Sequence, residues 1–353
     1  MASGKKVFIV GPGFIGWAVL DLLVKENYSV TGFVRRQEHA DQIRASGATD
    51  TVLGDLNDKA LITKHALTHD IVIHTATADH LPSVEAVLEA VQQRAEQGLS
   101  TIFIHTSGTS LLDDGSLGAY KGDKIFRDDA PAEIDALPDT APHRKIDLAI
   151  VRAQRQLGDK ARLAIMVPPT IYGYDPRHAG RLSIQVPVLT RYALKHGYAG
   201  HVGAGRAVES NVHVGDLARG YVALLQHLEA ASPSHNPDIL ANPYYFCEAT
   251  GDAEPSWHDV AALVGAELHR AGLISDAEPR TIPPENYGDL FGSGTVSNLG
   301  LNSRSRAVRL RGLGWRPVEK SLEESYVQDE LPVILKEGGD WRAFDGYHKA
   351  VSS

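Results

Sequence analysis

Residues 6–16 read KVFIVGPGFIG, and this stretch decides the fold. Lys6–Val10 is a short apolar run of the kind that parallel sheets bury on both faces. Gly11-Pro12-Gly13-Phe14-Ile15-Gly16 follows, and Ile15, Val19, Leu22 and Leu23 then recur at helical spacing. A G-x-G-x-x-G run between a strand and a helix predicts a dinucleotide site. Gly11 permits the tight turn, Gly13 lets the backbone approach a diphosphate, and Gly16 lets the helix pack closely on the strand. The free N–H groups and positive dipole end of the helix complete an anion site.

Working outward, the strand–helix rhythm repeats. Ser29–Val34, Thr51–Leu53, Asp70–Thr75, Thr101–His105 and Ala161–Val167 read as strands. Val84, Val87, Leu88 and Val91 keep helical spacing, and a further helix runs from about Pro142 to Leu157. Alternation of this kind predicts an α/β fold, a Rossmann-type doubly wound parallel sheet. Residues 1–173 form the nucleotide domain, and 174–353 a smaller C-terminal substrate lobe that returns some elements to it. In that lobe Ser183–His196, Gly215–Leu228 and Trp257–Ala271 read as helices, and Glu209–Val214 and Tyr244–Glu248 as strands. Ala230–Pro243 reads as a surface loop. Ser107–Ala141, rich in Gly, Asp and Pro, breaks the rhythm. It predicts a long, functional or mobile excursion over the mouth of the site.

Ligands of such sheets lie beyond the carboxyl ends of the strands. The second strand ends Phe33-Val34-Arg35-Arg36. An NAD site usually places an acid there for the ribose hydroxyl. Two guanidiniums instead suit a 2′-phosphate, so Arg35 and Arg36 favour NADP(H) over NAD(H). Asp55 and Leu56 follow the third strand and suit an adenine. Thr75, Ala76 and Thr77 follow the fourth, small enough for close approach to ribose and diphosphate. Ser107 follows the fifth and offers a hydroxyl near a nicotinamide.

Composition narrows the alternatives. Lys and Arg total 35 against 44 Asp and Glu, a formal charge of −9, which disfavours general binding to nucleic acid or an anionic membrane. Cys247 is the single cysteine and the 16 histidines show no ligand spacing, so neither a disulfide nor a metal site is expected. No signal peptide or membrane span is read, and a soluble cytoplasmic protein is expected.

The chain resembles the NAD-dependent epimerase/dehydratase group of extended short-chain dehydrogenases/reductases. The resemblance rests on GPGFIG (11–16), GDL (54–56), HTAT (74–77), HTSGTS (105–110), PPTIYG (168–173), NVHVGDLARG (211–220) and SRSRAVRLRGLGWRP (303–317). It covers roughly residues 5–335. It implies that Gly11, Gly13 and Gly16 hold the diphosphate, that Phe14 and Ile15 line the turn, and that Asp55 and Leu56 frame the adenine. It places Pro168 and Thr170 near the nicotinamide, and it implies a small-molecule substrate and a homodimer. The glycine loop departs from the group's usual GxxGxxG by one residue.

The larger departure is catalytic. Redox members use Ser, Tyr and Lys, with Lys four residues after Tyr. Ser107 fills the serine role. A YxxxK exists at Tyr120–Lys124, but Gly122 and the flanking DDGSLG and KGDK oppose a helix there. The helix that should carry the pair starts near Pro142, where His143 takes the place of Tyr and Asp147 that of Lys. A histidine suits acid–base work near neutral pH, and an aspartate one turn away can orient it or raise its pKa. His143 with Asp147, or Tyr120, is therefore the expected proton donor. Three functions stay open: an NADP(H)-dependent oxidoreductase or epimerase-like enzyme for a small carbonyl or alcohol, a non-redox isomerase or lyase, and an NADP(H)-sensing regulator. Tyr172, His178, Gln185, Tyr192 and His201 are candidate pocket residues of the lobe.

Overall fold

The structure is a computed structural model that describes residues 4–178, 180–230, 238–251 and 254–339. The first half alternates β1 (Lys6–Val10), α1 (Phe14–Lys25), β2 (Ser29–Val34), α2 (Gln37–Ala45), β3 (Asp50–Leu53), α3 (Lys59–Ala66), β4 (Ile71–His74), α4 (Leu81–Glu96) and β5 (Thr101–Thr106). An irregular stretch holds only β6 (Phe126–Arg127), α5 (Pro131–Asp135) and a 3-10 turn at Thr109–Leu112. Then come α6 (Arg144–Leu157), β7 (Ala161–Val167), β8 (Thr170–Tyr172), α7 (Gln185–His196), β9 (Gly200–His201), β10 (Asn211–His213) and α8 (Val214–Ala230). α9 (Asp238–Ala241), β11 (Tyr244–Phe246) and α10 (Trp257–Arg270) follow.

Seven parallel strands form the main sheet in the order β11-β7-β5-β4-β1-β2-β3. From β1 the chain runs outward through β2 and β3, then returns to β4 on the other side of β1. That reversal opens a crevice at the carboxyl ends of β1 and β4. β1, β4 and β5 are almost wholly buried, as continuous apolar runs in a doubly covered sheet require.

The lobe divides its elements between two cores. α8, β11 and Trp315 join the sheet's core. Val186, Leu189, Tyr192, Trp257, Leu268 and Tyr326 build a second one with α7 and α10. α10 begins at a capping box in which Ser256 and Asp259 satisfy each other's backbone N–H groups. The predicted strand at 244–248 shortens to β11 and forms the edge of the main sheet beside β7. The predicted strand at 209–214 shortens to β10 and pairs with β8 instead. Of the expected loop 230–243, residues 238–241 are helical and 231–237 lie outside the described residues.

The excursion after β5 is anchored rather than loose. Asp128 is fully buried, and its carboxylate accepts from the N–H groups of Phe246, Val308 and Arg309. β6 pairs with Ser305–Arg306, and Asn302 donates to Asp114. These bonds tie an irregular segment to the late chain by backbone polar groups that would otherwise be buried unpaired.

The glycine turn is locked into the sheet by β4's end. Gly11 has φ 77°, and a methyl group there would lie 2.4 Å from Ala76 Cβ. Thr75 Oγ1 donates to Gly11 O at 2.8 Å, and a methyl on Gly16 would lie 2.2 Å from that hydroxyl. Gly16→Ala should therefore lower stability by about 1–3 kcal/mol through overpacking. Chemical denaturation checks this, and an unchanged midpoint would contradict the close approach.

Candidate functional site

A cavity of about 560 Å³ lies over the crevice, within the range of small-molecule and cofactor sites. The glycine turn forms its floor. Gly13 caps α1 without a side-chain hydrogen bond, so the first N–H groups of the helix stay available. A methyl on Gly13 would meet nothing closer than 3.9 Å, so the missing side chain leaves open space toward the cavity. This cradle fits a diphosphate.

The β2 end of the cavity is cationic. Arg35, Arg36 and His39 line it, and Arg181 joins them from the lobe. Burial, then Arg181 and Arg36, lower the His39 pKa to about 4. Arg181 itself is pushed down by burial and by Arg36, and its guanidinium lies 5.3 Å from the Trp17 ring. The segment before Arg181 is docked on α1. Buried Asp21 accepts from His178 at 3.1 Å and pairs with Arg177 at 3.0 Å, while His178 stacks on Trp17. Asp21, Asp175 and His178 stand close enough to suggest a metal site, but Arg177 bridges both carboxylates.

The opposite end holds a histidine between a carboxylate and a hydroxyl. His143 caps the start of α6 with φ 64° and ψ −19°, a left-handed conformation uncommon outside glycine and typical of functional sites. Its side chain makes no cap bond and reaches across the cavity mouth. Nδ1 lies 2.7 Å from Asp79 Oδ1, and Nε2 lies 2.7 Å from Ser110 Oγ. The carboxylate only accepts, so Nδ1 carries the proton and donates to it. In the neutral ring Nε2 then accepts from the Ser110 hydroxyl. Gly108 makes room, because a methyl there would lie 3.1 Å from Nε2.

Asp147 is not the partner of His143. It is fully buried and accepts from Ser107 Oγ at 3.0 Å, beneath the cavity wall. Burial raises its pKa to about 7, against the lowering effects of Ser107, His143 and Arg144. Ser107 lines the cavity but spends its hydroxyl on Asp147, so Ser110 is the hydroxyl at the histidine. Asp79 and Ser110 were missed. Asp79 follows HTAT by two residues at the end of β4, the sort of position that strand-end reading reaches.

The other expectations separate clearly. Gly11, Gly13, Phe14, Ile15, Leu56, Thr75, Ala76, Thr77 and Pro168 line the cavity with the arginines, while Gly16 packs behind. Asp55 does not line it; its carboxylate accepts from Asn57 N and shapes a turn. Thr170 is buried beside it, in β8. Tyr120 is half exposed in a segment without helix and outside the lining, and Lys124 pairs with Glu133. Of the lobe candidates only Gln185 lines the cavity. Tyr172 donates to Lys320 O, Tyr192 bonds Tyr198, His178 bonds Asp21, and His201 bonds Gly203 O. His213 and Asp216 are structural: Gly215 N–H donates to His213, and Asp216 accepts from Val318 and Glu319.

A model of the NAD dependent epimerase/dehydratase family matches residues 7–239. Oxidase ucsJ of Acremonium sp is 29% identical over 349 residues, with 94% of this chain and 97% of that protein covered. A UDP-glucose 4-epimerase of Thermotoga maritima, solved with UDP-glucose, superposes with a TM-score of 0.64 at 19% identity, covering 94% of this chain and 99% of that one. The yeast methylglyoxal/isovaleraldehyde reductase Gre2, complexed with NADPH, gives 0.59 at 19% identity, with 94% and 98% covered. These structural likenesses speak for the fold.

The buried Asp147 carboxyl makes stability depend on pH. It is harder to ionise in the fold than in the unfolded chain, so it carries no penalty below its ordinary 3.8 and a growing one as pH rises toward about 7. Asp147→Asn keeps an acceptor for Ser107 and removes the charge. Its melting temperature should gain on the wild type as pH rises from about 4 to about 7 and hold a constant lead above that. A constant difference from about pH 4 to about pH 7 would contradict the assignment.

Proposed function

The chain belongs to the NAD dependent epimerase/dehydratase family, and from that premise we propose that it is an NADP(H)-dependent oxidoreductase of a small-molecule carbonyl or alcohol. The observation that carries this reading is a single cavity with cations at the β2 end and an assembled Asp79–His143–Ser110 chain at the other. Arg36 and Arg181 have no acidic partner among the described residues, and their convergence suits a 2′-phosphate. The α1 N-terminus and Gly13 receive the diphosphate.

When bound, NADPH supplies the hydride that a carbonyl carbon accepts. The protein supplies the proton. In the reduction His143 starts as the imidazolium and holds a second proton at Nε2, and the Ser110 hydroxyl passes its proton to the substrate oxygen while taking that one from Nε2, which leaves the neutral ring. Asp79 fixes the ring's orientation and stabilises the imidazolium formed when the reaction runs as an oxidation. The buried Ser107–Asp147 pair supports the wall from which Ser110 and His143 project. A cofactor sensor needs no such proton chain, which favours an enzyme. Cytosolic location fits the lone, buried Cys247.

Two substitutions test the two ends separately. Arg181→Ala should weaken NADPH binding by about tenfold or more, the worth of a charge-assisted hydrogen bond, while changing NADH binding little. Fluorescence titration reads both. His143→Ala should leave NADPH affinity intact and lower turnover by roughly 10²–10⁴. Equal losses for NADH and NADPH in the first variant, or undiminished turnover in the second, would overturn the reading.

A further inference from the structure

The cavity wall on the histidine side contains a carboxylate that the proposed proton chain does not use. Glu209 lines the cavity together with Ser110, Gln185 and Asn298. Its backbone bridges Ser303, whose hydroxyl donates to Thr109 O, so Glu209 sits next to the turn that presents Ser110. Behind it stands Asp113, whose Oδ2 is buried without a hydrogen-bond partner. Neither acid forms an ion pair among the described residues. Burial pushes Glu209 up to about 8, against hydrogen bonding from Thr170, and burial with repulsion from Glu209 pushes Asp113 up to about 9. Two carboxyl groups held together in a poorly solvated wall lack a cation.

The basic groups of the lining are placed elsewhere. Among the described residues they are Arg35, Arg36, His39, Arg181 and His143. The first four gather at the β2 end and His143 is committed to Asp79. This side of the described lining therefore offers no free cation for the second diphosphate of a nucleoside-diphosphate sugar, although the fold is shared with an epimerase solved with one.

We propose that Glu209, backed by Asp113, holds a basic nitrogen of the substrate, so that the enzyme acts on a carbonyl or alcohol whose molecule also carries an amine. The ammonium supplies the charge the acidic pair lacks, and its charge-assisted bond to Glu209 turns the substrate oxygen toward Ser110. This assignment rests on the redox reading of the cavity for its chemistry, but the binding contact does not need the cofactor.

Calorimetry tests it with a panel of primary and cyclic secondary amines, each paired with its isosteric alcohol or ether. Titrations run on protein loaded with NADP+ and on cofactor-free protein, with UDP-glucose as a separate ligand. The best amines should bind at least about tenfold tighter than their neutral partners. Glu209→Gln should bring each pair within about threefold while leaving NADPH affinity unchanged. The comparison within wild-type protein stands even if the variant fails to fold. Neutral partners binding as tightly as their amines throughout the panel, or UDP-glucose binding more tightly than every amine, would overturn the proposal. Failure of NADPH to bind, with the amine preference intact, would instead sink the cofactor reading alone.

Discussion

The structure depends on how closely the first glycine turn is pressed into the end of β4. Thr75 bonds the carbonyl of Gly11, and Gly16 has no space for a side chain beside that hydroxyl. This contact fixes where α1 begins and aims its free N–H groups over the strand ends. The same β4 end continues directly into Ala76, Thr77 and Asp79. One tight packing contact therefore positions both the anion cradle and the carboxylate that orients His143.

The start of α6 shows how side chains are re-aimed on a kept scaffold. α6 starts where the fold needs a helix to cover the sheet, yet its first turn presents His143 and Asp147. The left-handed backbone at His143 swings the ring toward β4 and β5. Asp147, one turn later, points into the protein and meets Ser107. Residues with helical spacing of four share a face, but a cap residue with positive φ leaves that face, and here the two side chains take separate partners.

Much of the fold was legible because strand–helix alternation and the G-x-G-x-x-G turn are local signals. Six of the seven main strands follow from apolar runs. The seventh, β11, was read as a strand but not as part of the main sheet, since three residues carry no information about which edge they join. The strand-end and glycine-turn lining of the cavity was legible, except for Asp55, which turns back on its own loop, and Thr170, which is buried outside the lining. Arg181 was not, because only the docking of His178 and Arg177 on Asp21 brings it beside Arg36. Ser107 was placed correctly at β5's end, but the sequence could not show that its hydroxyl faces a buried carboxyl. The excursion after β5 looked loose because its anchors, Asn302 and Arg309, lie almost two hundred residues away.

The cavity is divided by charge, basic where an extra phosphate would lie and acidic beside the histidine. That division rests on one orientation of the dinucleotide, with its nicotinamide toward His143. A crystal structure of the protein with NADPH measures that orientation directly. The account predicts the 2′-phosphate in hydrogen-bond contact with Arg36 and Arg181, and nicotinamide C4 facing the space beside Ser110 and His143. A 2′-phosphate in solvent, or a nicotinamide turned away from His143, would contradict it.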